Sequence, residues 1–145
     1  MKIHPMMAFG QYLSWAERMR THFSELYDRE KPKGRDSKEI PTMFMYFSYW
    51  LAAFCVVIEG YGDVGLKDPA IEALLHPQKI AILKRYRNGV YHFQAEYFFD
   101  LRFTNLFNSA QEIMPWLGEV RAAAWVFYDH WIDVHDIDGS PKSVI

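Results

Sequence analysis

Apolar residues recur at helical spacing along most of the chain. Between Phe9 and Tyr27 they follow one another in steps of three and four, and the same steps return in the last third of the sequence. No stretch alternates apolar and polar residues over the length of a strand. The pattern therefore predicts an all-α fold in which five or six helices form an up-and-down bundle.

A polar segment separates the first two predicted helices. The first helix covers Phe9 to Tyr27 and ends before "REKPKGRDSKEIP", whose proline, glycine and mixed charges are typical of a solvated loop. Asp36 with Glu39 three residues later resembles an acidic capping box. Pro41 fits the first turn of a helix, where its missing N–H costs nothing. The second helix is thus predicted to begin near Pro41.

That second helix contains the longest apolar run of the chain. "PTMFMYFSYWLAAFCVVI", Pro41 to Ile58, has no charge over 18 residues and is long enough to cross a membrane. Threonine, serine and tyrosine dilute its first half, acidic Glu59 follows it, and the rest of the chain is amphipathic. We expect a core or interface helix that ends at "GYGDVG", with a membrane span as the alternative.

The middle of the chain carries clear start signals. Asp68 and Pro69 fit an N-cap and a first helical residue, so a short helix is predicted over Pro69 to Leu75. The chain breaks at His76 and restarts at Pro77. The next helix is expected to end or kink at Asn88-Gly89, since both residues tolerate positive φ.

Two more helices complete the predicted domain. One is expected from Ala95 to about Phe107, and Ser109 with Glu112 resembles the capping box of the last helix. A single helical domain is therefore predicted over residues 1–136. Residues 137–145, beginning "IDGSPK", are expected to form a frayed tail.

Composition narrows the function classes. A net charge of −2 and a pI near 6.3 provide no overall attraction to nucleic acid, so a phosphate-binding surface has to be a local cluster. Cys55 is the only cysteine, which excludes an internal disulfide and is compatible with a reducing compartment. The N-terminus lacks the pattern of a signal peptide. We expect a cytoplasmic protein that is not bound to a membrane.

One segment, "LKRYRNGVYHFQ", combines residues suited to phosphodiester chemistry. Arg87 and His92 are separated by four residues, and polar Asn88 follows the arginine. A guanidinium that is always charged can hold a phosphate, while a histidine that titrates near neutrality can move a proton.

The segment resembles the motif of the HEPN superfamily (higher eukaryotes and prokaryotes nucleotide-binding), in which an arginine, a polar residue and a histidine four to six residues after the arginine lie in an all-α bundle. The helical layout is also loosely similar. The resemblance implies a metal-independent endoribonuclease that works as a homodimer on RNA, often as a toxin or defence effector. It equally implies a catalytically silent adaptor that binds RNA, a nucleotide or a protein. A cognate antitoxin or a nucleotidyltransferase is a candidate partner.

The enzyme hypothesis assigns roles to individual residues. Two copies of Arg87 and His92 would meet across a two-fold axis at one RNA phosphate, with His92 as general base or acid for attack by the 2′-hydroxyl. Arg87 would stabilise charge on phosphorus, and Asn88 would orient the pair or the phosphate. Neither a metal ion nor a cofactor takes part.

Neighbouring residues would extend this site. Lys84 and Arg85 are expected to continue a basic strip toward the RNA backbone, and Tyr91 to stack on an unpaired base. Glu59 either faces Arg87 and positions it or is simply the solvated end of its helix.

Two alternatives compete with this site. In the first, Arg87 bonds to a carboxylate, Asn88-Gly89 caps the helix and His92 packs in the core, so that the segment is ordinary helix-end chemistry. In the second, "DHWIDVHD" binds a metal through Asp129, His130 and Asp133. That site would need ligands from another helix, where only isolated histidines such as His22 and His76 are available. No Gly-rich phosphate loop or nucleophile elbow is present, so no cofactor is expected.

Overall fold

The computed structural model of the chain describes residues 1–143, apart from the side chain of residue 98. Over this range it is all-helical, as predicted, and contains no strand. Its six α-helices are α1 (Pro5–Glu30), α2 (Ile40–Val64), α3 (Pro69–Leu74), α4 (Pro77–Tyr91), α5 (Leu101–Asn108) and α6 (Ala110–Val134). Two short 3-10 helices cover Lys31–Asp36 and Tyr97–Phe99.

Helices α1 and α2 form an antiparallel hairpin on which the other helices assemble. Helix α4 packs on α2, α5 packs on α4, and α6 contacts α1, α3 and α5. The apolar stripes seen in the sequence meet in one core, whose fully buried members include Leu13, Phe54, Leu83, Phe103 and Leu117.

Helix α2 is longer than predicted. It continues through Gly60 and Gly62 and ends only at Gly65, which adopts the left-handed conformation with a φ of 77°. A glycine inside a helix costs about 1 kcal/mol relative to alanine. The added turn buries Tyr61 and Val64 against the core, and their burial offsets that cost.

Capping follows the sequence signals at only one of three places. The Asp68 carboxylate accepts a hydrogen bond from the Ile71 N–H at 3.0 Å, as predicted for α3. The box at Asp36 and Glu39 does not form, because Asp36 ends a 3-10 helix and the Ser37 hydroxyl instead accepts from the Glu39 N–H at 3.1 Å. At the start of α6 the predicted box is also absent: Ser109 is the N-cap residue but makes no side-chain cap.

Asn88-Gly89 does not end α4, which runs on to Tyr91. Gly89 is instead a close-packing position. A Cβ atom there would lie 2.9 Å from the ring of Phe103, so only glycine lets α5 approach α4 this closely.

The segment predicted as one helix from Ala95 to Phe107 is divided. Asp100 separates the 3-10 helix from α5, and its carboxylate caps α5 by accepting from the Arg102 N–H at 2.9 Å. A short polar residue at this position favours a new N-cap over a continuous helix.

The C-terminal segment folds back rather than fraying. The Ile137 carbonyl accepts from the His4 N–H at 2.9 Å, and the Lys142 N–H donates to the Val134 carbonyl at 2.9 Å. The His4 ring also stacks on Trp131 with centroids 4.9 Å apart. The predicted frayed tail is therefore wrong for residues 137–143, while Val144 and Ile145 lie outside the described residues.

Helix α2 is neither wholly core nor wholly exposed. Over Ile40–Asp63 it is long and apolar enough to cross a membrane, a test that core helices also pass, and 33% of its most apolar window is buried. One side packs on α1 and α4. The other side presents a stripe of exposed or half-buried small and apolar residues: Met45, Tyr49, Ala53, Val56 and Gly60. This set is called the α2 stripe below.

Tyr86 fixes α4 on the hairpin. Its side chain is fully buried, and its hydroxyl shares a 2.9 Å hydrogen bond with that of Ser48 on α2. The Phe103 ring meets the Tyr86 ring edge-on at 5.3 Å. Burial raises the pKa of the Tyr86 hydroxyl, so the group stays neutral.

A charged cluster connects α1 to α6. The Glu17 carboxylate accepts two hydrogen bonds from Arg121, both at 2.6 Å, and is also bound by Arg20. Burial alone would raise the pKa of Glu17, but the hydrogen bonds from Arg121 and Arg20 lower it to about 2.

We expect Tyr86→Phe to lower the free energy of unfolding by about 1–2 kcal/mol, because the buried Ser48 hydroxyl loses its partner. Ser48→Ala should cost a similar amount, and the double variant little more than either single one. Urea unfolding of the three variants checks this, with Tyr27→Phe on the exposed side of α1 as the control. Fully additive losses would contradict the shared hydrogen bond.

The Glu17 cluster predicts an acid-dependent contribution to stability. Since the folded-state pKa is about 2 and the ordinary value is 4.5, the contribution is complete above pH 4.5 and is lost as pH falls toward 2. The stability difference between wild type and Glu17→Gln should therefore shrink over this range. Urea unfolding at successive pH values measures it, and Glu25→Gln, an exposed glutamate of α1, should show a smaller change. A pH-independent difference would contradict the assignment.

Candidate functional site

The predicted site residues gather on the solvent side of α4. The buried side of this helix consists of Leu83, Tyr86 and Gly89. With 3.6 residues per turn, Lys84, Asn88 and Tyr91 fall on one stripe of the opposite side, flanked by Arg85 and Arg87. Burial of Tyr86 thus turns the five residues outward together.

Arg87 is held in place by two neighbours. Its Nη1 donates to the Glu59 carboxylate at 2.5 Å, and its Nη2 lies 3.4 Å from the Asn88 side-chain oxygen. The Arg87 side chain is 23% exposed. The contact that the sequence suggested between Glu59 and Arg87 is present, and Asn88 is placed to orient the guanidinium.

The surroundings of Arg87 are cationic. Lys84 Nζ lies 3.9 Å from the second oxygen of Glu59, and the Arg85 side chain is exposed beside it. Lys84 and Arg87 thus share one carboxylate, and with the exposed Arg85 this part of α4 has a surplus of positive charge.

His92 lies just beyond the last helical residue. Its backbone is extended, with φ −122° and ψ 130°, and its side chain is exposed. The helix-end alternative is met only in part, because Arg87 does bond to a carboxylate but Asn88-Gly89 is no cap and His92 is not in the core. Arg87 is thus a half-buried residue near the end of α4, and the exposed His92 directly follows the helix.

Aromatic residues surround this end of α4. Tyr91 is 60% exposed, and its ring lies 6.3 Å from that of Tyr49 in the α2 stripe. Phe93, directly after His92, is 96% exposed. A cavity of about 390 Å³ opens nearby between α2 and the chain at Val90 and Tyr97, though neither Arg87 nor His92 lines it.

Three residues for which the sequence pattern predicted no role, Gln94, Asp100 and Arg102, hold the chain after His92. The Gln94 amide donates to the His92 carbonyl at 2.8 Å, and Arg102 donates to the Gln94 side-chain oxygen at 2.5 Å. Arg102 is itself bound to Asp100. The one available signal was Asp100, a helix-capping residue in the middle of an expected helix.

Cys55, one turn before Glu59, has the properties of a core residue. It is buried, and burial raises the pKa of its thiol to about 11. A thiol with so high a pKa is almost entirely protonated at neutral pH and is a poor nucleophile.

The C-terminal segment does not assemble a metal site within residues 1–143. Asp129, His130 and Asp133 are all exposed. No group of three or more histidine, cysteine, aspartate or glutamate side chains in that range is arranged to hold a metal ion. The helical neighbours noted in the sequence thus lack a partner set on another helix.

Comparison with protein-family models, curated protein sequences and solved structures finds no match for this chain. The resemblance to the HEPN superfamily therefore stays a prediction from the sequence.

We expect Glu59→Gln to release Arg87 without unfolding the protein. A partly exposed ion pair contributes at most about 1 kcal/mol, so the melting temperature should change little. The Arg87 Nη–H resonances, which are protected from exchange while Nη1 donates to Glu59, should broaden through faster exchange. Lys84→Ala, which removes the more distant cation, is the matched control. An unchanged Arg87 resonance in Glu59→Gln would show that the pair does not hold the side chain in solution.

Proposed function

We propose that this chain is a HEPN-like, metal-independent endoribonuclease that cleaves RNA at a site shared by two copies of the chain. We also propose that it acts in the cytoplasm without membrane anchorage, as the sequence predicts. The observation that carries the proposal is the placement of a half-buried Arg87, held by Glu59, close along the chain to the exposed Asn88 and His92 at the end of α4. Charge stabilisation by oriented donors is often the largest catalytic term, so a held arginine supports the enzyme function.

The reaction needs one base and one acid. The 2′-oxygen bonds to phosphorus while the bond from phosphorus to the 5′-oxygen breaks, which leaves a 2′,3′-cyclic phosphate and a 5′-hydroxyl. One His92 takes the 2′-hydroxyl proton, and the protonated His92 of the second copy gives a proton to the 5′-oxygen. Arg87 compensates the charge that develops on the phosphoryl oxygens.

The surroundings of the motif suit an unpaired RNA strand. Lys84 and Arg85 would bind phosphates next to the scissile one, and of the two only Lys84 lies near Glu59, at 3.9 Å. Tyr91 and Phe93 expose flat rings on which bases could stack. A base-paired A-form helix would offer those rings no free base face.

The α2 stripe is the surface that we propose for the second copy. Its residues are small or apolar, and Tyr49 connects it to Tyr91 at the motif. Tyr12 of α1 borders the same surface beside a cavity of about 160 Å³. Pairing along this stripe would cover exposed apolar area and bring two copies of the motif near one axis.

A catalytically silent adaptor is the second candidate. One observation favours it: neither Arg87 nor His92 lines the nearby cavity of about 390 Å³, so the two side chains do not face this pocket together. Such a module would bind RNA, a nucleotide or a protein at the same face without breaking a bond. A cognate antitoxin or a nucleotidyltransferase would be a partner of either form.

Cleavage of single-stranded RNA in the presence of EDTA tests the proposal. Wild type should cleave, and His92→Ala and Arg87→Ala should each lose at least about 100-fold in rate, as expected for removal of a general acid or base or a charge stabiliser. His130→Ala changes an exposed histidine of α6 and should retain activity.

Other outcomes separate the alternatives. RNA binding without cleavage would favour the adaptor, and EDTA-sensitive cleavage that does not need His92 would favour a metal enzyme. A monomer by sedimentation, at concentrations where cleavage proceeds, would contradict the shared site.

A further inference from the structure

A chain of polar contacts ties the backbone of His92 to α5. The His92 carbonyl accepts from Gln94 Nε2 at 2.8 Å, and Gln94 Oε1 accepts from Arg102 Nη2 at 2.5 Å. Arg102 in turn makes two hydrogen bonds to Asp100, at 2.9 Å from Nε and 2.8 Å from Nη2. Four residues thus connect the end of α4 to the start of α5.

His92 has few other restraints. It stands at the end of α4, where carbonyl groups have no partner within the helix. Residues 93 and 94 have no regular structure, and the Phe93 side chain is almost fully exposed, so packing does not anchor the chain directly after His92. The side chain of Gln94 supplies the missing donor.

The contact chain ends at Asp100, which is fixed by its hydrogen bonds to Arg102 and by its position as the N-cap of α5. Hydrogen bonds from the Arg102 side chain and backbone lower the pKa of Asp100 to about 2, so the carboxylate is charged at neutral pH. Asp100 also caps α5, which packs on α4 where Phe103 meets Gly89. The anchor of His92 is therefore a helix that packs directly on α4.

We propose that Gln94 and Arg102 are positioning residues that hold the backbone of His92 while its imidazole stays exposed to substrate, an inference that rests on the proposed ribonuclease function. The contacts reach only the His92 carbonyl. They fix the backbone position from which the imidazole side chain extends. They do not contact either ring nitrogen, so both nitrogens remain available for proton transfer.

This arrangement predicts a loss in kcat rather than in substrate affinity. In Gln94→Ala the His92 carbonyl loses its donor, and the imidazole spends less time in line with the scissile phosphate. A misplaced catalytic group lowers the rate by roughly 10- to 100-fold, while KM should change less than twofold. The pH profile of kcat should keep its shape, because the ring nitrogens are untouched. Gln111→Ala, an exposed glutamine of α6, is the control.

A second variant separates positioning from loop folding. In Gln94→Glu the carboxylate still accepts from Arg102 but cannot donate to the His92 carbonyl, so kcat should fall as in Gln94→Ala. Backbone ¹⁵N relaxation at His92 should report greater motion in both variants, and this readout does not depend on the added charge. Arg102→Lys, which loses the paired contact with Asp100, should show an intermediate effect on both measurements.

Unchanged relaxation at His92 in both Gln94 variants, or a change in KM alone, would overturn the inference. The relaxation measurement decides whether Gln94 holds His92 even if the wild type cleaves no RNA. An inactive wild type in which relaxation at His92 responds to the Gln94 variants would overturn the ribonuclease function and leave the anchoring of His92 standing.

Discussion

Burial of Tyr86 is the constraint on which the arrangement of the site depends. The ring occupies the junction of α2, α4 and α5, and inside the described part of the chain its hydroxyl is matched by Ser48. Rotating α4 by one residue would leave that hydroxyl without its partner and bring the Arg87 guanidinium toward the core, both of which are costly. The polar side of α4 must therefore face solvent. Lys84 and Asn88 face solvent because Tyr86, on the opposite side of α4, is buried.

Two ion pairs of the chain serve different purposes. Glu17 binds two arginines and joins α1 to α6, and its lowered pKa marks a contact that favours the folded state. Glu59 makes one close contact with Arg87, whereas Glu17 accepts from two arginines, and such a partly exposed single pair adds little stability. The second pair orients the Arg87 side chain, which has many rotamers and is restricted by Glu59 to one region near the end of α4. The pair therefore matters more for the geometry of the site than for the stability of the fold.

Local signals in the sequence identified the long helices but only some of their starts. Asp68 and Pro69 started α3 as predicted, whereas the capping boxes expected at Asp36 and Ser109 did not form. Apolar spacing or an uncharged run identified every long helix. Gly89 was wrongly predicted to end or kink α4. It is a glycine because the Phe103 ring packs against it, and Phe103 lies fourteen positions away in the sequence, so only the folded chain shows this contact. The contact of Glu59 with Arg87 could be anticipated from a helix end. The support of His92 by Gln94 and Arg102 could not, since it depends on the turn that Asp100 introduces.

The two ends of the motif are restrained in opposite ways, and this difference bears on catalysis. Arg87 is held through its guanidinium, whereas His92 is held through its backbone carbonyl and keeps its ring free. A module that only binds phosphate would gain from an unpaired arginine, because Glu59 competes with the ligand for its charge. A catalyst gains from the pair, because a charged group fixed before the reaction need not reorganise as charge develops on phosphorus. A histidine that exchanges protons must in turn remain open to solvent and substrate. The combination of a fixed charge and an accessible ring supports an enzyme more than an adaptor.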